Sequence, residues 1–210
     1  MGRAGDYRAF LSQFFRNHRT TGALVPSGRA LASALCRHVG RGGAQTILEA
    51  GPGTGAITAQ IVERIRRDDR LCLVELNPEF AAHLRDAFER RPAFRAAADR
   101  CQLIEGMVQD VDGAGRFDLI VSSLPLNNFT PEVVQSVLQT YARLLKPGGT
   151  LSFFEYMLVR EAKALISVRT GRARLKAVNS AIASALERRE FAREAVWPNV
   201  PPAWVHHLRY

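Results

Sequence analysis

The sequence predicts an α/β fold in which a mostly parallel sheet carries helices on both faces. Three observations predict it. Short apolar runs alternate with helix-periodic stripes from Ile47 to Tyr156. The first run ends in a turn with alternating glycines, Gly51, Gly53 and Gly55, that opens straight into a helical pattern. Two last strand-like runs, Phe191 to Trp197 and Ala203 to Leu208, flank the turn Pro198-Asn199-Val200-Pro201-Pro202 and read as a closing antiparallel hairpin. The strands then number seven.

At 210 residues and 47% hydrophobic content the chain suits one domain with a sheet covered on both sides. Residues 1–20 are expected as an N-terminal amphipathic helix, and 21–210 as a single domain with a basic helical insertion at about 160–189. No stretch approaches the ~18 apolar residues of a membrane span, and arginines stand where a signal peptide needs its apolar run. Cys36, Cys72 and Cys101 are scattered without metal or redox spacing, so no metal is expected and a reducing cytoplasm is.

In chain order, Tyr7, Phe10, Leu11, Phe14 and Phe15 fall at i, i+3, i+4, i+7 and i+8, one face of a helix over residues 5–19. Arg8, Gln13 and Arg16 take the other face. The pattern suits a helix in a membrane interface and equally one packed over the sheet edge. Thr20 to Ser27 is a connector, with Ser27 placed to cap a helix over about 28–39. The first strand runs into Glu49, and Ile57, Ile61, Val62 and Ile65 give the next helix its buried stripe. Leu71 to Glu75 is the second strand. Asn77 caps and Pro78 opens a helix buried through Ala81, Leu84 and Phe88. Gln102 to Glu105 and Phe117 to Val121 are the third and fourth strands. Thr130-Pro131 starts a helix carrying Val134, Val137, Leu138, Tyr141, Leu144 and Leu145. Lys146-Pro147-Gly148-Gly149 reads as a turn before the fifth strand, Thr150 to Tyr156.

The glycine turn carries the chemistry. Without Cβ atoms it can adopt unusual dihedrals and let a ligand lie on bare backbone, and the helix amides favour negative charge, here a carboxylate. A dinucleotide turn is G-x-G-x-x-G; here it is E-x-G-x-G-x-G, from Glu49 to Gly55. A carboxylate so placed repels a pyrophosphate and suits a ligand bearing an ammonium group. The turn resembles motif I of the class I S-adenosylmethionine methyltransferases. Glu75, about 20 residues past the glycines at the next strand end, is placed to accept hydrogen bonds from ribose hydroxyls.

After the fourth strand come Ser122-Ser123-Leu124-Pro125-Leu126-Asn127-Asn128-Phe129. Relatives that methylate amino groups of DNA or RNA place Asn or Asp, a variable residue, Pro and an aromatic there. This chain keeps the proline and lacks the amide and the aromatic at those positions. A flipped base would lose stacking worth roughly 1–3 kcal/mol, which argues against nucleic acid.

Taken together, Glu49 to Gly55, Glu75, the Ser-Leu-Pro-Leu-Asn-Asn-Phe loop, Leu-Lys-Pro-Gly-Gly at 145–149, Asn199 to Ala203 and Thr21 to Ser27 resemble the bacterial phospholipid N-methyltransferases over nearly the whole chain. The resemblance implies a Rossmann-like class I fold that binds membranes peripherally and methylates phosphatidylethanolamine or its methylated derivatives. Some relatives methylate ornithine lipids. It implies S-adenosylmethionine as cofactor, S-adenosylhomocysteine as product, and a phospholipid and an anionic membrane surface as partners. The cofactor residues would be Glu49, Gly51, Gly53, Thr54, Gly55, Glu75, Leu76, Met107, Val108, Ser122, Ser123 and Leu124. The chain departs from many class I enzymes after the third strand, with Gly106-Met107-Val108 in place of Gly-Asp-Ala. Met107 would then pack on the adenine, with Asp110 supplying the lost contact. Tyr156 at the end of the fifth strand is the first candidate for contacting the amine, with Asn128 and Asn199 next.

The charge is uneven. Residues 1–41 and 160–189 are each net +6, so the remainder is net −3 against +9 overall. The basic character sits in two appendages, as on a surface that meets polyanions. Anionic lipid attracts each nearby Lys or Arg by about 1 kcal/mol. The charge equally suits an rRNA-adenine methyltransferase, and a degenerate, non-catalytic membrane-surface protein is a third reading.

Overall fold

Thr46–Ala50 forms β1, whose residues from Ile47 onward are all buried. It lies near the middle of the sheet, paired in parallel with β2 (Arg70–Glu75) on one side and β4 (Phe117–Ser122) on the other. A strand with both neighbours occupied and both faces covered is mostly apolar, and a polar side chain within it needs a partner. Full burial of each Ile or Leu contributes roughly 1.5–3 kcal/mol, which explains why these runs barely alternate. The computed structural model describes residues 28–126, 129–157, 178, 180, 182–199 and 201–210. The expected helix over 5–19, the connector to Ser27, Asn127, Asn128 and the basic stretch 158–177 lie outside the described residues.

The seven strands lie in the order β3-β2-β1-β4-β5-β7-β6. β3 is Cys101–Glu105 and β5 is Leu145–Tyr156. The closing hairpin is β6 (Glu190–Val196) and β7 (Ala203–Arg209). β7 pairs antiparallel with both β5 and β6, and the other pairings are parallel. Both the α/β class and the hairpin are therefore as the sequence predicts.

The helices divide the core into two layers. Against one face pack α1 (Arg29–Leu35), α2 (Ala56–Val62) and the short α4 (Pro92–Arg95), with Leu31, Leu35, Ile57, Ile61 and Phe94 buried on Ile47, Leu73 and Val121. Against the other pack α5 (Pro131–Leu144) and the helical residues 182–189, with Val134, Tyr141 and Ile182 buried on Leu48, Ile120 and Phe153. α3 (Pro78–Arg90) starts as expected: Asn77 accepts from the Glu79 amide and Pro78 takes the first turn. Its Phe88 is only partly buried, edge-on to Phe94 at 5.1 Å. Thr130 caps α5 by accepting from the Val133 amide.

Two local expectations need correction. Gly28, in an extended conformation, holds the cap position of α1 and makes no side-chain cap. Ser27, expected in that role, lies outside the described residues. The helix also stops at Leu35, and turns carry the chain to Gly40. The Lys146-Pro147-Gly148-Gly149 turn is absorbed into β5 as an irregularity: Phe117 pairs with Leu145, yet Leu119 pairs with Thr150. Gly148 takes a positive φ of 78°, and the Gly148 amide donates to the Tyr210 carbonyl. The extra residues bulge out and are tied down by the C-terminus, so a sequence that reads as a turn stays within a strand.

Candidate active site

The strand order reverses between β1 and β4, the point where open α/β sheets bind ligands at their carboxyl ends. There the loops after the two strands meet. The Gly51 amide donates to the Val74 carbonyl and the Ser123 amide to the Ala50 carbonyl, each extending the ladder by one bond. Gly51, Gly53 and Gly55 all have positive φ, at 73°, 56° and 81°. Their surroundings differ. A Cβ on Gly51 would lie 2.5 Å from Leu124 Cδ2, and one on Gly55 3.1 Å from Leu84 Cδ2. A Cβ on Gly53 would meet nothing within 4 Å. Gly51 thus admits the β4 loop, Gly55 lets α2 pack on α3, and Gly53 faces open space beside exposed Thr54.

Glu49 is fully buried and faces α2. Its Oε2 accepts from Thr58 Oγ1 at 2.8 Å, while Oε1 is buried with no partner. Burial pushes its pKa up to about 8; the Thr58 hydrogen bond opposes the rise and the Glu75 charge adds to it. A carboxylate with one orphaned oxygen at the ligand edge is a seat for a cation or a hydrogen-bond donor. Thr58 escaped the sequence reading. Its signal was a hydroxyl on the apolar stripe of a helix, opposite the acid that ends the strand.

Glu75 is 1% exposed. Its Oε2 accepts from the Gly53 amide at 2.9 Å and its Oε1 from the Asn77 amide at 2.8 Å. Burial raises its pKa against these bonds and a further one from the Leu76 amide. The acid therefore braces the glycine turn and keeps lone pairs for ligand hydroxyls. Met107 is half-buried and Val108 buried, both against the layer that carries α5. Asp110 is exposed, and its carboxylate accepts from the Met107 amide at 3.4 Å, so it closes its own loop.

The β4 loop divides its serines. The Ser122 hydroxyl is buried and bonded to Tyr141 OH at 2.8 Å, turned toward α5 and away from the glycine turn. The Ser122 hydroxyl is therefore spent on the core. The Ser123 hydroxyl is buried without a partner, and Leu124 lies on Gly51. Leu126 and Phe129 are each 1% exposed, inside the core. Tyr156 stands at the end of β5, half-buried and edge-on to Phe154 at 5.1 Å, with its pKa raised by burial. Its phenol stays neutral at physiological pH, able to donate or accept a hydrogen bond. Asn199 Oδ1 accepts from the Gly28 amide at 3.1 Å and its Nδ2 donates to the Pro201 carbonyl at 2.7 Å, so its amide fastens backbone. Glu155, 7% exposed and next to Tyr156, was passed over in the sequence as part of a strand. An acid inside the apolar run Leu151 to Tyr156 was the available signal.

These residues fit S-adenosylmethionine. Gly53 leaves open space for a ligand against backbone, the orphaned Glu49 oxygen suits an ammonium group, and Glu75 suits ribose hydroxyls. Among the described residues no group of His, Cys, Asp and Glu could hold a metal ion, and no helix is long and apolar enough to cross a membrane.

Known proteins agree. Residues 47–149 match the family model of a methyltransferase domain. The ornithine lipid N-methyltransferase of Singulisphaera acidiphila is 31% identical over 153 residues, 70% of this chain and 76% of that protein. The ribosomal RNA small subunit methyltransferase A of Acidobacterium capsulatum is 33% identical over 99 residues, 45% of this chain and 33% of that protein. In fold, the chain is similar to the Burkholderia thailandensis 1,6-didemethyltoxoflavin-N1-methyltransferase, solved with S-adenosylhomocysteine. The TM-score is 0.66 at 18% identity, covering all of this chain and 91% of the other. With the E-x-G-x-G-x-G turn at the switch point and a relative matched over three quarters of its length, the chain belongs to the class I S-adenosylmethionine-dependent methyltransferases.

Proposed function

We propose that this methyltransferase acts on the amine of a membrane lipid, phosphatidylethanolamine or its methylated derivatives, at the membrane surface. The observation that carries the reading is the loop after β4. Where amino-methylating enzymes of nucleic acid place an amide and a stacking aromatic, this chain has Ser123-Leu124-Pro125-Leu126. Both leucines are buried, and Phe129 lies in the core. Similarity to a lipid N-methyltransferase over most of its length supports the reading. That relative's name favours ornithine lipid as the second substrate, an amine on a lipid in either case.

When bound, S-adenosylmethionine supplies a methyl group already activated by its positive sulfur. The chain's own residues have the remaining work of binding and orientation. Glu75, Leu76 and Met107 would hold the nucleoside, and Gly53, Thr54 and Glu49 the amino-acid end. Tyr156, neutral and at the lip of β5, would orient the acceptor amine by a hydrogen bond.

Labelled S-adenosylmethionine offered together with liposomes of phosphatidylethanolamine, liposomes of ornithine lipid, and ribosomal RNA tests the reading. Label is expected in the lipid amine. Label in RNA would overturn the proposal in favour of the rRNA-type reading, which the net charge of +9 and the Acidobacterium relative support. Label in neither would overturn both.

A further inference from the structure

A methyl acceptor amine must be neutral, yet an amine with a pKa near ~10.4 is almost wholly protonated at pH 7. The group that takes its proton needs a place at the cofactor edge of the sheet and a route to water. One cluster outside the cofactor cradle has both. Glu155 lies on the face of β5 that carries Phe153. Phe153 is level with Ser122, the last residue of β4, so Glu155 stands about 6–7 Å further on, at the height of the β4 loop. His206 of β7 is 2% exposed and stacks on Phe153, with ring centroids 5.1 Å apart. Its Nε2 is 3.4 Å from Glu155 Oε2, and its Nδ1 is 2.7 Å from Glu190 Oε1. The Glu190 side chain is 25% exposed. A carboxylate, an imidazole and a second carboxylate thus run from the cofactor edge to solvent.

His206 Nδ1 and Glu190 Oε1 are hydrogen-bonded, and Nε2 faces Glu155 Oε2, buried and with no aligned hydrogen bond. An imidazole set between two carboxylates turns one ring nitrogen to each, so it can take a proton on one side and give one up on the other. The neighbouring charged groups are engaged elsewhere. Arg193, the register partner of His206 on β6, lies over the Trp204 ring at 4.5 Å, and Arg189 lies over Tyr210 at 4.5 Å. His207 points to the opposite face of β7, bonded to Ser152. The helical residues 182–189 cover this layer with Ile182 and Ala185.

We propose that Glu155, His206 and Glu190 form the path by which the acceptor ammonium loses its proton to water, an inference that rests on the aminolipid reading above. The ammonium N–H bond breaks as an O–H bond forms on Glu155. That proton passes on to His206 Nε2, the Nδ1 proton passes to Glu190, and Glu190 releases it to solvent. The electron pair left on nitrogen is the one that accepts the methyl group. Glu155 meets the amine, and His206 and Glu190 act through it as positioning and relay residues.

The test uses the full chain, vesicles containing phosphatidylethanolamine, and an analogue with an aminooxy group in place of the amine, uncharged at neutral pH. Glu155→Gln and His206→Gln should each lower kcat at pH 7 by about 10²-fold. Their rates should climb with pH well beyond the wild-type plateau, with unchanged affinity for S-adenosylmethionine. The aminooxy lipid, which needs no base, should bring both variants within a few-fold of wild type. Glu190→Gln, at the solvent end, keeps the test open if a buried variant fails to fold; its rate should fall and recover with added imidazole buffer. Equal losses on both lipids, or a wild-type pH profile in all three variants, would reduce the cluster to a strand-stitching role and overturn the path. If wild type methylates neither lipid, the aminolipid reading fails first and the path falls with it.

Discussion

Gly51 and Gly53 sit two residues apart with the same handedness of backbone, and only their neighbours tell them apart. A side chain at Gly51 strikes Leu124, whereas one at Gly53 enters empty space. Gly53→Val should therefore keep the fold, at a strain cost of about 1–3 kcal/mol from its positive φ, and abolish binding of S-adenosylmethionine. Calorimetry on a variant with wild-type circular dichroism checks this, and wild-type affinity would unseat the site. Glu49 allows a sharper expectation. Its pKa is raised from 4.5 to about 8 in the folded protein, so the folded state holds a proton that the unfolded state has lost between those values. The stability of the free enzyme should therefore fall as pH rises from about 4.5 to about 8. A ligand ammonium favours the ionised carboxylate, so binding below pH 8 should release a proton and tighten with rising pH. Calorimetry in buffers of different ionisation heat reads that proton directly; Glu49→Gln should abolish it, and a wild type that releases none would remove Glu49 from the ammonium seat.

At the scale of elements, the sequence was most legible where one residue type has one physical use. Asn77-Pro78 and Thr130-Pro131 start helices because a polar cap and a first-turn proline satisfy or remove orphan amides, and both do so here. The strand-end acids were equally plain, since Glu49 and Glu75 close otherwise apolar runs. What stayed hidden depends on partners far along the chain. Lys146-Pro147-Gly148-Gly149 reads as a turn, and only its bond to Tyr210 reveals a bulge within β5. Ser122 and Ser123 are adjacent and alike in sequence, but the pleat sends one to Tyr141 and leaves the other unpartnered. Asn199 read as a catalytic candidate because its proline-rich turn is distinctive, and its bond to Gly28 spans 171 positions. Asn199→Ala removes an amide that holds two backbone groups, one of them at the cap of α1. It should lower stability by about 1–3 kcal/mol, a drop of a few degrees in Tm for a chain of this size. Affinity for S-adenosylmethionine should stay at the wild-type value; a matching loss of affinity without a change in Tm would return Asn199 to the binding site.

For the whole molecule the question is how the chain would reach the membrane lipid proposed above. Residues 1–41 and 160–189 each contribute net +6 against a remainder of net −3, so the positive charge is concentrated in two segments of the sequence. The sequence stripe Tyr7, Phe10, Leu11, Phe14 and Phe15 would put aromatic rings on one helix face, with Arg8 and Arg16 on the other. Burying each aromatic side chain contributes roughly 1.5–3 kcal/mol. Each arginine near an anionic surface adds about 1 kcal/mol, a contribution that salt screens. On this reading, deleting residues 1–19 should leave the sheet folded while strongly reducing both liposome binding and lipid methylation. Phe10→Asp combined with Phe14→Asp should do the same with every arginine in place, because the apolar face is what enters the interface. Raising salt should weaken wild-type binding to anionic liposomes. A water-soluble amine acceptor separates docking from catalysis, since its methylation should survive the variants if the stripe serves only to reach the membrane. If instead the variants bind anionic liposomes as tightly as wild type while their Tm collapses, the stripe packs on the protein itself. Attraction to the membrane would then rest on the basic residues of 160–189.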